Sequence, residues 1–294
     1  MRIGHHDLLL RTDSAYTRAS RQTAWLEYMN PADLIESVVT LSKSAGAAIL
    51  KVYETDFDVE HKDDESPLTK ADLASHRVIV AGLEALTPDL PIISEESGLP
   101  PFAERSAWDT YWLIDPLDGT KEFVNRNGEF TVNIALIREH RPLLGVVYVP
   151  VTGTIYLGCD GHGAERRTSD GEVQQLTIGE ASESPVRVVG SRSHRGDSLN
   201  RFLDQLGDFE LHPVGSSLKF CYVAEGSADI YPRLGPTSEW DTAAAQAVVE
   251  QAGGAVLRLD GSPLGYNTKE DILNPYFLVI GPRDHDWVGM AQTG

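Results

Sequence analysis

Interleaved strand and helix patterns predict an α/β protein built of stacked layers. Three observations carry that prediction. Apolar runs at 111–114, 130–137 and 144–149 have the length and composition of buried strands. Apolar residues at helical spacing dominate 34–49, 68–86 and 243–252. The two patterns alternate along the chain, with no long block of strands alone or helices alone.

Taken in order, Asn30-Pro31 supplies a cap and a first-turn proline for a helix over 31–54, with Leu34, Ile35, Val38, Val39, Leu41 and Ile49 on its apolar face. The charged stretch 55–66 predicts a loop or short strand. A second helix follows over 68–86, through Ala71, Leu73, Val78, Ile79 and Leu83. Pro91-Ile92-Ile93-Ser94 reads as a short strand leading into Glu95-Glu96. The strands at 129–149 are joined by the polar segment 138–142, as a hairpin requires, and 154–157 adds another. Residues 160–185 are polar and glycine-containing, which predicts peripheral chain. A β–α alternation then begins: a strand at 186–190, helices at 199–206 and 218–225, and a short strand at 229–231. Trp240-Asp241-Thr242 opens a helix over 243–252, closed by Gly253-Gly254.

The bulk properties narrow the function. A chain of 294 residues can bury a sizeable core in one large domain or two lobes. Its 44 acidic against 25 basic residues, a formal charge of −19, argue against binding a nucleic-acid polymer, which needs a basic surface. A small nucleotide remains compatible, because a metal ion and a few local cations can reverse the field inside one pocket. No apolar run approaches the roughly 20 residues of a membrane-spanning helix. Residues 1–29 are expected to form a poorly ordered extension, with Met29 as an alternative start. Cys159 and Cys221 form no zinc or redox pattern, so a reduced, cytoplasmic protein is expected.

Chemistry concentrates where apolar segments end. Tyr111-Trp112-Leu113-Ile114 runs straight into Asp115-Pro116-Leu117-Asp118-Gly119-Thr120-Lys121-Glu122-Phe123. Two hard oxygen donors on one tight turn suit Mg²⁺, which is usually held by one or two carboxylates plus phosphate and water oxygens. Gly119 lets the backbone approach a ligand, and the amides of Gly119 and Thr120 can face a phosphate if a helix starts there. Asp, Pro and Gly are equally the residues of any loop. Two further acidic features also end apolar segments: Glu95-Glu96, which a solvated loop would explain, and Asp241, which a helix N-cap would explain.

Taken together, Glu95-Glu96-Ser97, Asp115-Pro116-Leu117-Asp118-Gly119-Thr120 and Trp240-Asp241 with Gly253-Gly254 resemble, in order and spacing, the three signature blocks of the inositol monophosphatase superfamily. The resemblance covers about residues 32–283. It implies an αβαβα sandwich and a Mg²⁺-dependent, lithium-sensitive phosphomonoesterase. In detail, Gly119-Thr120-Lys121-Glu122-Phe123, Ser191-Arg192-Ser193-His194, Gly215-Ser216-Ser217-Leu218-Lys219-Phe220-Cys221 and Tyr231-Pro232-Arg233 look like the CysQ-type 3′(2′),5′-bisphosphate nucleotidases.

That resemblance implies roles residue by residue. Glu95, Asp115 and the Leu117 carbonyl would hold a first metal, with Asp115 bridging to a second completed by Asp118 and Asp241, in a site of two or three Mg²⁺ ions. Thr120 and Asp72 would orient and deprotonate the attacking water, with Glu96 beside them. Gly119 and Thr120 would meet the scissile phosphate, and His194, Ser216, Lys219 and Arg233 the rest of the nucleotide. The implied domains are a 1–30 extension, a 31–184 α+β lobe with most metal ligands, and a 185–294 α/β lobe completing the substrate site. The implied reaction is hydrolysis of 3′-phosphoadenosine 5′-phosphate to AMP and phosphate, in the cytoplasm or at the inner face of its membrane. An inositol or sugar monophosphatase is the alternative within the superfamily, and a catalytically silent nucleotide or metal sensor is the alternative outside it. The expected partner is a small nucleotide bisphosphate, with no nucleic-acid polymer and no integral membrane association; the oligomeric state is unread.

Overall fold

Side chains of the strand β2 (Thr110–Asp118) alternate between two different cores. Tyr111 and Leu113 face one, Trp112 and Ile114 the other. This period of two explains why the sequence here is apolar without interruption: both faces of the sheet are covered. The computed structural model describes residues 30–55, 67–179, 185–190, 197–281 and 285–292, so the expected extension 1–29 and nearly all of the 55–66 segment lie outside the described residues.

Among the described residues one sheet has seven strands in sequence order, β1 (Ile92–Ser94), β2, β3 (Thr131–Arg138), β4 (Arg141–Val149), β5 (Thr154–Cys159), β6 (Gly163–Arg167) and β7 (Val173–Leu176). Only β1 and β2 run parallel; the remaining pairs are antiparallel. A second sheet has the order β11 (Ala255–Arg258), β12 (Phe277–Ile280), β10 (Ile230–Arg233), β8 (Val186–Gly190), β9 (Phe209–Pro213).

Helices complete five layers. A 3₁₀ turn at Pro31–Leu34, with Asn30 accepting from the amide of Ala32, leads into α1 (Ile35–Tyr53). Together with α2 (Pro67–Leu86), α1 covers the outer face of the seven-stranded sheet through Val38, Ile49, Ile79 and Leu83. Between the sheets lie α6 (Leu218–Ala224) and α7 (Ala243–Gln251), packed in a core shared by Leu113, Val147, Val189 and Val279. The last layer is α5 (Asp197–Gln205) and α8 (Trp287–Gln292), whose Phe202 and Trp287 meet Val188, Ile230 and Leu278. Two four- or five-residue helices, α3 (Phe102–Arg105) and α4 (Thr120–Val124), connect elements at the edge of the first sheet. The order of layers is αβαβα.

The expectation of peripheral chain at 160–185 is corrected, because β6 and β7 complete the first sheet. Charge hid β6, while β7 is polar and only four residues long. Glu165 is buried, and it accepts hydrogen bonds from Arg167 Nε at 2.5 Å and Gln175 Nε2 at 2.9 Å. Strands β9, β11 and β12 also go beyond the expected set; four or five residues are too few to display a period. The hairpin between β3 and β4 turns tightly on Glu139 and His140, both at positive φ (48° and 66°). Asn-Gly usually serves such turns. Here tertiary contacts hold the geometry instead, since His140 O accepts from the Tyr266 amide and Asp109 O from that of Glu139.

Candidate active site

Parallel pairing of β1 and β2 brings the first two carboxylates together. Ser94 lies opposite Ile114, so the next residues, Glu95 and Asp115, leave the sheet side by side at its carboxyl edge. The Glu95 amide donates to Ile114 O at 3.3 Å, and the two side chains are within hydrogen-bonding contact of each other. The sheet register then jumps, from Asp115 opposite Asn133 to Asp118 opposite Thr131, a bulge of one extra residue on β2. Bulges re-aim side chains. This one removes Pro116 and Leu117 from the regular pairing, and Asp115 Oδ1 accepts from the Leu117 amide at 3.0 Å while Ser75 Oγ on α2 donates to Pro116 O at 2.7 Å.

Asp118 is tied to the middle layer. Its Oδ2 accepts from the Ser217 amide, and Ser217 Oγ in turn lies 2.9 Å from both Thr131 Oγ1 and Asn133 Oδ1. Asp241 comes from the far end of the chain. It sits just before α7, where Oδ2 accepts from Thr237 Oγ1 at 2.6 Å and the Ser238 amide at 2.9 Å. Asp241 therefore braces the preceding turn rather than capping α7, whose cap residue Thr242 instead donates from Oγ1 to Glu239 O.

Electrostatics link these groups. Glu95 is exposed yet partly desolvated by the groups around it; that desolvation first, then the neighbouring Asp241 charge, pushes it up to about 7. Asp118 also rises to about 7, again from burial and then Asp241, against the opposing pull of Lys219 and the Ser217 amide. Asp115, 1% exposed, is raised well above the carboxylate range by burial and by Asp118, Glu95 and Asp241. Asp241 is raised by burial too. Asp72 reaches about 8 through burial and the charges of Glu96 and Glu95. It lies on the α2 face that also presents Ser75 and His76, and His76 Nδ1 meets Ser94 Oγ at 2.8 Å.

A cluster of carboxylates held this far from ionisation is what a divalent cation would relieve. The donor set is all oxygen, as a hard cation requires, so the residues fit Mg²⁺. Among the described residues no three His, Cys, Asp or Glu side chains form a ready-made cage.

Beside the acids a cavity of about 170 Å³ opens between two tight loops. Gly119 has φ +97°, and a Cβ there would stand 3.2 Å from both Phe130 Cα and Ser216 Cβ. Ser216 itself has φ +44°, and a Cβ on Gly215 would fall 2.4 Å from Glu122 Cγ. Thr120, exposed, begins α4 immediately beyond Gly119. Lys219, Tyr231 and Arg233 also line the cavity, with Asp118 and Asp241. Lys219 is more inward than a substrate-facing lysine: it is 8% exposed and its Nζ donates to Ser216 O and, at 3.4 Å, to Val214 O. Burial lowers it to about 8 despite Asp118 nearby. Arg233 Nη2 donates to Pro236 O, whereas its buried Nε has no acceptor among the described residues. His194 lies outside the described residues. Glu96, half-buried, stands near Asp72, its amide 3.4 Å from Ser94 Oγ. A larger cavity of about 590 Å³, between α7, β11 and α8, contains none of the candidate metal, catalytic or substrate residues.

Layer order and acidic edge together define a class. The inositol monophosphatase family model matches residues 30–286, and the chain belongs to that family. Within it, the chain is 49% identical over 248 residues to the 3′(2′),5′-bisphosphate nucleotidase CysQ of Salmonella typhimurium, covering 84% of this chain and 99% of that one. It is equally similar to CysQ of Escherichia coli K12. The crystal structure of CysQ from Bacteroides thetaiotaomicron superposes with a TM-score of 0.78 at 42% identity, over 87% of this chain and 99% of the other. Inositol monophosphatase II of Staphylococcus aureus shares the fold at 21% identity, with a TM-score of 0.72 over 88% and 92% of the two chains. No helix among the described residues is long and apolar enough to cross a membrane.

Proposed function

We propose that this protein is a Mg²⁺-dependent 3′(2′),5′-bisphosphate nucleotidase that hydrolyses 3′-phosphoadenosine 5′-phosphate to AMP and phosphate. The observation that carries the reading is that Asp118 and Asp241, from distant segments, line a cavity that also holds Lys219 and Arg233, with Glu95 and Asp115 electrostatically coupled to them. Its 49% identity to enzymes of that name supports the substrate.

Enzymes of this family use Mg²⁺. Here Glu95, Asp115, the Leu117 carbonyl, Asp118 and Asp241 would hold two or three ions. Bound there, Mg²⁺ supplies charge neutralisation and polarisation of the phosphoryl oxygens. The protein's own groups do the rest. The first-turn amides of α4, at Gly119 and Thr120, receive the scissile phosphate, since the backbone has no side chain at Gly119 to keep it away. Water attacks phosphorus, the P–O3′ bond breaks, and the ribose 3′ oxygen leaves and takes up a proton from solvent, matching the proton the base returns to solvent. Thr120 Oγ1 orients that water, and the Asp72 carboxylate, beside Glu95 and Glu96, accepts its proton, with Glu96 supporting it.

The second phosphate distinguishes this substrate from inositol 1-phosphate. Arg233 meets it: its unpaired buried Nε is a donor without an acceptor until an anion enters. Lys219 fixes the 214–216 loop, keeping Ser216 against the nucleotide, and adds positive potential from beneath. A reducing cytoplasmic setting goes with the reading, as Cys159 and Cys221 are both buried free thiols.

The test is phosphate release from 3′-phosphoadenosine 5′-phosphate and inositol 1-phosphate side by side, with and without Mg²⁺. Strong Mg²⁺-dependent preference for the nucleotide is expected. Preference for inositol phosphate would overturn the roles of Arg233 and Lys219 and leave the metal site standing. Release of phosphate from neither would overturn the enzyme assignment.

A further inference from the structure

A second polar cluster lies outside the cavity and links the loop after Glu95 with the turn that carries Asp241. Arg105, the last residue of α3, is 0% exposed. A guanidinium buried to that degree must use its donors on protein acceptors, since leaving them unpaired costs several kcal/mol or more. Its Nε donates to Pro100 O at 3.2 Å, in the loop that continues from Glu95 and Glu96. Nη1 donates to Asn267 Oδ1, and Nη2 to Glu270 O and, at 3.0 Å, to Lys269 O. The contact is reciprocal, because Asn267 Nδ2 donates back to Arg105 O at 2.6 Å.

Asn267 passes the connection on. It is 1% exposed and holds φ +54°, a conformation that asparagine tolerates better than most residues. Its backbone amide donates to Glu239 Oε2 at 2.8 Å. Glu239 is also buried, and its carbonyl accepts from the amides of Thr242 and Ala243, each at 3.2 Å, closing the turn that contains Asp241. The same turn is clamped a second time, where Asn274 Nδ2 donates to Ser238 O at 2.9 Å and the Glu239 amide to Ile272 O.

We propose that Arg105 and Asn267 are positioning residues for the metal site, setting the separation between the Glu95–Glu96 loop and the Asp241 turn. This rests on the proposed Mg²⁺ reading above. Glu95 and Asp241 lie on different layers, and neither sheet pairs the segments that carry them. The chain Pro100–Arg105–Asn267–Glu239 is a direct bonded route between them. Oxygen ligands of a small, geometrically demanding ion tolerate little error in that separation. A role confined to holding the fold together is the competing account, and metal affinity tells the two apart.

Asn267→Gly is the cleanest variant. Glycine keeps the left-handed backbone and the amide bond to Glu239, and removes only the two side-chain bonds to Arg105. Mg²⁺ binding to the metal-free protein is measured by titration calorimetry, alongside the Mg²⁺ dependence of turnover. The expected result is a Mg²⁺ dissociation constant raised about five- to tenfold, with kcat at saturating Mg²⁺ within about twofold of the parent. Arg105→Lys, which retains charge but loses the planar fork, should move in the same direction. A lowered melting temperature with unchanged Mg²⁺ affinity in both variants would overturn the positioning role and leave the metal site intact. No Mg²⁺ binding by the parent protein would overturn the metal reading and this proposal with it.

Discussion

Gly145 and Gly158 face each other across β4 and β5, and α7 lies directly on the pair. A Cβ on Gly145 would stand 2.0 Å from Ala244 O, and one on Gly158 2.4 Å from Ala247 O. Two missing side chains in register make a saddle in the sheet, and an alanine face on the helix fills it. The helix begins two residues after Asp241, so a shift of α7 on this saddle would carry that carboxylate with it.

Gly145→Ala should therefore damage both stability and function. The backbone of α7 cannot yield as a flexible side chain could, and overpacking of this kind costs about 1–3 kcal/mol. Urea denaturation should show that loss, and Mg²⁺-dependent turnover should fall by more than the lost folded fraction explains. Turnover that tracks the folded fraction alone would separate the saddle from the position of Asp241.

Asp115→Asn should abolish Mg²⁺-dependent hydrolysis while leaving the metal-free protein as stable as the parent, or more so, at pH 8. Burial and three neighbouring carboxylates hold Asp115 well above the usual range, so its ionised form is costly without a cation. Melting curves with and without Mg²⁺ check both halves: the Mg²⁺-induced rise seen in the parent should vanish in the variant.

The acidic cluster makes a signed prediction for pH. Glu95, Asp118 and Asp72 have folded-state affinities raised to about 7, 7 and 8, above unfolded values near 4. Between those limits the folded state binds more protons than the unfolded one. Their contribution to metal-free stability is fully present below about pH 4 and is lost as pH rises through about 7–8. Mg²⁺ competes with those protons, so the stabilisation it confers should grow from pH 5 to pH 8. Thermal melts in chelator and in Mg²⁺ across that range measure the difference directly, free of other titrating groups common to both. A Mg²⁺ increment that stays flat with pH would contradict this coupling.

Arg233→Ala should slow hydrolysis of the nucleotide bisphosphate about ten- to a hundredfold in kcat/KM, the range of one or two charge-assisted hydrogen bonds at about 1.5–3 kcal/mol. A monophosphate lacking the second phosphate should lose far less. Equal losses on the two substrates would remove Arg233 from specificity and leave it a structural residue of β10.

Much of the fold is legible in the sequence because its signals are long. The uninterrupted apolar run at the start of β2 and the 3.6-residue pattern of α1, α2 and α7 each extend over enough residues to show their period. Short elements fail for the same reason. Strand β12 spans four buried residues, and β6 disguises itself by burying Glu165 against Arg167 and Gln175. Acidic candidates were legible by position, at the ends of apolar segments, and family resemblance supplied Asp72, which no local pattern singled out. Arg105, Asn267 and Glu239 gave no signal at all, because a buried polar network is defined by partners distant in sequence.

What this sequence determines alone is local and chemical: which segments are helical or extended, and that hard oxygen donors follow apolar strands at three places. Composition and period suffice for that, since each depends on neighbours a few residues away. The tertiary structure decided which of those donors share a space. Parallel pairing of β1 with β2 set Glu95 beside Asp115, a one-residue bulge separates Asp115 from Asp118, and bonds from Thr237 and Ser238 hold Asp241. It also turned Lys219 inward onto the carbonyls of Val214 and Ser216, a choice made by burial and by the shape of that loop. Distances between segments far apart in the chain arise only when layers pack, and a metal site consists of such distances.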